Sequence, residues 1–171
     1  AQQSLDQQML RYVDVLLAIR GLVQASEPVS RAEWKTYTQS FDLVHHFPGM
    51  QGIGYAERVP IEGVPAFQAR VRGEGFPNFI IRPPGIRSAY FPVLYLEPFD
   101  MRNQRALGFD LGSDPVRQRA MERAAWDGAA AATGRLTLLQ EDGIDAQPGF
   151  LILVPDYKLN MPTDTQEERA A

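Results

Sequence analysis

The stretch PGMQGIGYAERV, from Pro48 to Val59, is where the chain changes its hydrophobic period. Proline cannot continue a helical hydrogen-bond ladder and glycine frees the turn, so Phe47, Pro48 and Gly49 end a helix. From Gln51 to Val59 the apolar residues Ile53, Tyr55 and Val59 fall on one side of an extended segment. Gly52 and Gly54 fall on the other side, where something can approach closely. Helical periodicity comes before this point, and extended segments dominate after it without regular βαβ alternation. That order predicts an α+β fold with an antiparallel sheet, rather than a doubly wound one.

Upstream, Leu5, Met9, Tyr12, Leu16, Ile19 and Val23 recur at spacings of four and three, which predicts one long helix. Leu10, Val13 and Leu17 form a second stripe beside the first. The helix can thus face its own domain with one stripe and a partner helix with the other, or bury one wide face on a single core. Ser30 and Glu33 make a capping box, each satisfying an orphan backbone donor of the next helix. Trp34, Tyr37, Phe41 and Val44 would line one face of that helix as far as Phe47.

Downstream, a short helix is expected from about Pro65 to Val71 and a short strand from Asn78 to Arg82, followed by a turn at Pro83, Pro84 and Gly85. Tyr90 to Leu96 is an aromatic and β-branched strand stopped at Glu97 and Pro98. Arg105 to Leu111 reads as extended. Asp114 before Pro115 is an N-cap followed by proline at the first helical position, opening a helix to about Asp127. After a small-residue connector, strands are expected at Leu136–Gln140 and Phe150–Val154.

A chain of 171 residues that is 44% hydrophobic and 22% charged can bury one sizeable core. Net charge is −4 with interspersed signs, and no basic stripe with aromatics between marks a nucleic-acid partner. The longest apolar stretch, Tyr12 to Ile19, contains Asp14 and is far short of the roughly twenty residues of a bilayer span. Cysteine is absent, which excludes disulfides and thiolate metal sites and suits an oxidising compartment. There is neither an initiator Met nor a signal peptide, so Ala1 is expected to be a cut point within a longer protein.

Chemistry is sparse. His45 and His46 are adjacent, so on a helix their side chains diverge by about 100° and cannot grip one metal as an i, i+4 pair does; no metal is expected. Gly49, Gly52 and Gly54 enter a strand rather than opening a helix, unlike a dinucleotide loop. Glu97, Asp100 and Asp110 are carboxylates, but Asp110 precedes a helix start where acidic residues serve as caps. Arg82 and Arg87 flank the Pro-Pro-Gly turn, where arginines can orient a carboxylate or phosphate or simply be solvated. No catalytic residue, cofactor or enzyme activity is expected of this segment.

Successive blocks then line up with a known family. Arg31 to Trp34, Pro48 to Val59, Tyr90 to Val93 with Glu97 and Pro98, Asn103 with Ala106 to Leu111, the Ala-rich helix, and Phe150 to Pro155 together resemble a CHASE domain, over nearly the whole chain. The resemblance implies an extracytoplasmic sensor, related to that of plant cytokinin receptors. Its expected parts are a long stalk helix and second helix (1–47), a PAS-like antiparallel sheet with flanking helices that binds a small ligand (48–157), and a loop (158–171). The family continues into a closing strand, which this chain is expected to lack. Asp156 departs from the family, which carries an apolar residue before the tyrosine.

The block alignment implies that Phe109, Leu136 and Thr137 fall on pocket-lining strands; Ser88 and Tyr90, helped by Arg87, are expected to fix the polar part of a ligand, and Phe91, Phe109 and Leu136 to cover its apolar part. Ser88 would stand where the cytokinin receptors carry an adenine-binding aspartate, which argues against cytokinin as ligand. Also implied are a periplasmic location in a membrane-anchored protein, a cytoplasmic histidine kinase, nucleotide cyclase or diguanylate cyclase output, and a homodimer through the N-terminal helix. The rival reading is a dimerisation or partner-docking module whose pocket is filled by its own aromatics. A cavity of roughly 300 Å³ or more near Ser88 would favour the sensor.

Overall fold

The computed structural model describes residues 2–26, 28–139, 148–158 and 160–170. The first helix, α1 (Gln2–Ala25), contains the whole predicted span. Its stripe turns inward: Ile19 and Val15 are buried in the main core, with Tyr12, Leu16 and Val23 packed against it. Leu5 lies outside the described side chains. Leu10 and Leu17, from the second stripe, stay exposed. The Tyr12 hydroxyl donates to the Pro48 carbonyl at 2.6 Å and its ring meets Phe47, which ties α1 to the end of the next helical segment.

The capping box at Ser30 forms as expected, with Ser30 Oγ accepting from Glu33 N and Glu33 Oε2 from Ser30 N. The helix it opens is broken, however, into α2 (Arg31–Gln39) and α3 (Leu43–His46). Thr38 Oγ1 and Ser40 Oγ donate back to the carbonyls of Trp34 and Tyr37, and Asp42 takes a left-handed φ of 46°. Such back-bonding competes with helix continuation, and aspartate is among the few residues that tolerate that conformation. The break rotates the register, so Leu43 is buried and Val44 is 76% exposed instead of lining the core face.

The Gln51–Val59 strand is interrupted, forming β1 (Ile53–Ala56) and β2 (Val59–Pro60). A short 3₁₀ turn, Ile61–Gly63, leads into α4 (Val64–Gly73). The Tyr90–Leu96 strand is likewise split, at Pro92, into β3 (Ala89–Tyr90) and β4 (Val93–Glu97). β1 pairs antiparallel with β4, with a register shift between Tyr55 and Ala56, and β2 pairs antiparallel with β3. A Cβ on Gly54 would sit 2.9 Å from the Tyr95 carbonyl oxygen, and one on Gly52 3.1 Å from that of Glu97. The close approach expected at these glycines is therefore made by the neighbouring strand.

Asn78–Arg82 is not a strand; only Arg82 pairs, in an isolated bridge with Phe109. Phe79 N instead closes a turn onto Phe76 O. The expected extended piece at 105–111 begins in a 3₁₀ turn, Asn103–Ala106, and then runs beside strand 89–93. There Gly108 N donates to Val93 O and Leu111 N to Phe91 O, at 2.9 and 3.0 Å. Asp114 Oδ1 accepts from Val116 N and Arg117 N to cap α5 (Pro115–Asp127), and Gly128 ends it at a left-handed φ of 68°, a conformation glycine takes without steric cost.

Then come β5 (Ala131–Ala132), β6 (Leu136–Thr137), β7 (Pro148–Gly149), β8 (Ile152–Leu153) and α6 (Gln166–Ala170); Gln140 lies outside the described residues. β5 pairs with β8 and β6 with β7, both antiparallel. The α+β class and antiparallel pairing thus hold. Among the described residues the strands form four two-stranded ladders rather than the single sheet expected, because Pro92 and the register shift interrupt ladder bonding. β4 lies between two clusters: Leu94 and Tyr95 belong to the main core, Val93 and Leu96 to a second one with Ala106.

Asp156, the departure from the family pattern, accepts a 3.0 Å bond from Gln24 Nε2, beside Arg20, whose Nη1 donates to Pro155 O. Burial raises the Asp156 carboxyl above its ordinary pKa, against the opposing effects of Gln24 and Arg20. The Tyr55 hydroxyl is pushed up to about 12, first by burial and then by the charge on Asp156. A raised carboxyl pKa means that the folded state holds the proton more tightly. Its stabilising contribution is present at acid pH and lost as pH rises through the raised pKa. Asp156→Asn keeps an acceptor for Gln24 without the charge. In thermal unfolding across about pH 4 to 7 it should match the parent at the acid end and melt higher at pH 7.

Candidate functional site

A buried carboxylate organises the region of the predicted ligand residues. Asp110 is 0% exposed, held where segment 107–111 passes strand 89–93. Its Oδ1 accepts from Phe91 N at 2.7 Å and Gly112 N at 3.0 Å. Its Oδ2 faces Arg87 Nη1 at 3.3 Å and has no hydrogen-bond partner. Arg87 lies over the Tyr90 ring, 5.6 Å from its centroid. The Tyr90 hydroxyl donates to Gly85 O at 2.8 Å and accepts from Arg87 N, so the Pro-Pro-Gly turn is folded onto the strand.

A second arginine joins the next group. Arg117, on the buried face of α5 with Ala120 and Ala124, lies 5.2 Å from the Phe109 ring centroid. Its Nη1 is 3.4 Å from Asp114 Oδ2, and its Nη2 donates to Thr137 O at 3.2 Å. Burial lowers its pKa from the ordinary guanidinium value, opposed by Asp114. Nε is buried without a partner.

The structure therefore brings Arg87, Tyr90 and Phe91 together around Asp110, and links Phe109 and Thr137 through Arg117. Ser88 is exposed, and its carbonyl accepts from Ile61 N. Leu136 sits in β6 opposite Gly149. The acidic group at this place comes from Asp110 rather than from position 88. Sequence reasoning treated Asp110 as a cap and passed over Arg117. The available signal for Arg117 was its spacing of three and seven from Ala120 and Ala124, which puts an arginine on an apolar helix stripe.

The carboxylates weighed for acid/base work are occupied locally. Glu97 Oε2 accepts from Phe99 N and Asp100 Oδ1 from Asn103 N. His45 and His46 are exposed, bonded to Asp42 and to Phe41 O. No cluster of three or more His, Cys, Asp or Glu suited to a metal ion occurs among the described residues, and no described helix is long and apolar enough to cross a membrane. Among the described residues, shallow clefts of about 440 Å³ beside Phe76, Phe79 and Arg82 and of about 260 Å³ beside Val59, Phe67 and Arg70 open on the surface. Neither is lined by a residue the alignment assigned to the ligand.

The fold is thus an α+β domain whose long leading helix packs on a core of short antiparallel ladders. The model of the CHASE domain family matches residues 27–171, and the chain belongs to that family. CHASE domains are extracytoplasmic sensor domains and not enzymes. The match begins just after α1. No curated protein matches the chain.

Asp110 sets a stability test. Asp110→Ala strips the acceptor from two backbone amides and the ion pair from Arg87, and should cost about 3 kcal/mol or more in urea unfolding. Asp110→Asn keeps a carbonyl for Phe91 N and Gly112 N and should lose clearly less.

Proposed function

We propose that this chain is the periplasmic sensor of a transmembrane signalling protein. A small, partly polar ligand engages Arg87, Ser88 and Tyr90, with Phe91, Phe109, Leu136 and Thr137 around its apolar part. Occupancy passes through α1 to a cytoplasmic kinase or cyclase, including a diguanylate cyclase or the kinase of a two-component system. Membership of a sensor family is the observation that carries this reading. The burial of the α1 stripe in the sensor core supports the route, because a rearranged core must move the helix. A ligand shifts signalling only through unequal affinity for two arrangements of the domain.

Thermal unfolding against a metabolite panel tests the site, since a ligand at a hundredfold excess over Kd adds about 2.7 kcal/mol. A small carboxylate, phosphate or amine should raise the melting temperature, and Ser88→Ala and Tyr90→Ala should each reduce the shift. Arg87→Ala should reduce it for an anionic ligand. Isopentenyladenine should give none, because Asp110 is already committed to Phe91, Gly112 and Arg87. A shift indifferent to all three substitutions places the ligand elsewhere.

The rival reading, a dimerisation or docking module with a self-filled pocket, is favoured by a specific observation: the polar groups of Arg87 and Tyr90 are paired within the chain. The homodimer itself is tested on the outward stripe. Leu16 packs on the core, so Leu16→Asp would damage the fold, whereas Leu10 and Leu17 are exposed. Leu10→Asp with Leu17→Asp should leave unfolding nearly unchanged and shift sedimentation from dimer to monomer; an unaltered mass removes α1 from any dimer interface.

A further inference from the structure

On the side away from the core, α1 carries a second seam. Gln7, Leu10, Asp14, Leu17 and Gly21 are all exposed and follow one another at spacings of three and four, the pattern of a two-helix contact. A Cβ on Gly21 would meet no atom within 4 Å, so that end of the face is open to the close approach of another helix. In this register Leu10 and Leu17 take d positions, and Gln7, Asp14 and Gly21 take a positions. Asp6 then falls on a g position and Arg11 on the next e position.

The flanking charges select the occupant. In a parallel, in-register pair each g residue faces the following e residue of the other helix, and such pairs set partner and orientation. Asp6 would meet the partner's Arg11, and the two-fold repeats that opposite-charge pair. A second copy of this chain therefore fits the face. Asp14 then meets the partner's Asp14 across the seam. It forms no hydrogen bond or ion pair among the described residues, and the cations beside it on α1 are turned aside. Arg11 Nη2 donates to His46 O at 3.2 Å, with the guanidinium 5.6 Å from the Phe47 ring centroid. Arg20 Nη1 donates to Pro155 O at 3.3 Å. Two carboxylates brought to one place repel, and uptake of a proton relieves the repulsion.

We propose that α1 pairs in parallel with α1 of a second copy, and that Asp14 makes this contact proton-gated, tighter in acid than at neutral pH. The inference rests on the homodimer proposed above and adds its geometry and its control. A dimer that takes up a proton on forming gains affinity as pH falls. Sedimentation equilibrium of the parent and Asp14→Asn near pH 7 and about pH 4.5 tests this, bracketing the range in which paired carboxylates titrate. Near neutrality Asp14→Asn should dimerise about tenfold more tightly than the parent or better. Towards acid the parent should tighten, and Asp14→Asn much less; the variant also accounts for the general loss of negative charge. Asp6→Lys and Arg11→Glu should each weaken self-association. An equimolar mixture of the two should recover it, because every flanking pair in the mixed dimer is again of opposite sign. The proposal is overturned if Asp14→Asn matches the parent at neutral pH, if both respond to pH alike, or if the mixture stays weak with both chains folded. Chains monomeric under every condition, Asp14→Asn included, remove the homodimer itself.

Discussion

A carboxylate with no access to water has to be satisfied by the protein around it, and Asp110 imposes that condition on three parts of the chain at once. Phe91 N and Gly112 N supply two donors and Arg87 supplies the countercharge. Meeting it holds segment 107–111 against strand 89–93, helps fold the Pro-Pro-Gly turn back over Tyr90, and caps the 3₁₀ turn at Leu111–Ser113 that precedes α5. A buried charge without such partners costs several kcal/mol, about enough to cancel a large share of a domain's net stability. The irregular middle of the chain, which has little ladder hydrogen bonding of its own, is held by this polar node together with the Arg82 bridge to Phe109.

The same node explains what was legible in the sequence. Features decided locally were readable: the Ser30–Glu33 capping box, the Asp114-Pro115 helix start and the Gly128 stop each depend on a few neighbouring residues. The helical period of α1 was readable from local spacing, but which way its stripe faces, core or partner helix, was settled only by the fold. Features decided by distant partners were not. Nothing near Thr38 and Ser40 announces that their hydroxyls turn back on the helix, so Val44 was assigned to the core when Leu43 takes that place. Asp110 looks like an ordinary cap until Phe91 and Arg87 arrive from some twenty residues away.

The candidate site was legible in part and for a related reason. The sequence reading selected Arg87, Tyr90, Phe91 and Phe109, which do gather around one region, yet it left out the two charged residues that join them. Asp110 and Arg117 act by burial, and burial of a charge is a tertiary property that residue type alone argues against. Once placed, each is partly unsatisfied, with Asp110 Oδ2 and Arg117 Nε lacking hydrogen bonds. Buried polar atoms in that condition are where a rearrangement or a bound group has something to gain.

The second helix and the strand core meet at a further arginine. Arg31 opens α2, donates to Leu94 O at 2.7 Å, pairs with Glu74 at 2.8 Å, and lies over the rings of Phe76 and Tyr95 at 4.4 and 5.0 Å. Tyr95 in turn donates its hydroxyl to Val29 O, in the connection between α1 and α2. Phe76 is also a wall of the larger cleft. One side chain thus touches the cleft wall, the central strand and the base of the second helix, so displacing Phe76 must either carry Arg31 with it or give up a cation–π contact. Packed cores resist continuous deformation and change between discrete arrangements. In this chain Arg31 and Tyr95 fix how β4 sits against the start of α2 and the connection between α1 and α2, so a rearrangement of the strands must change what these two side chains hold.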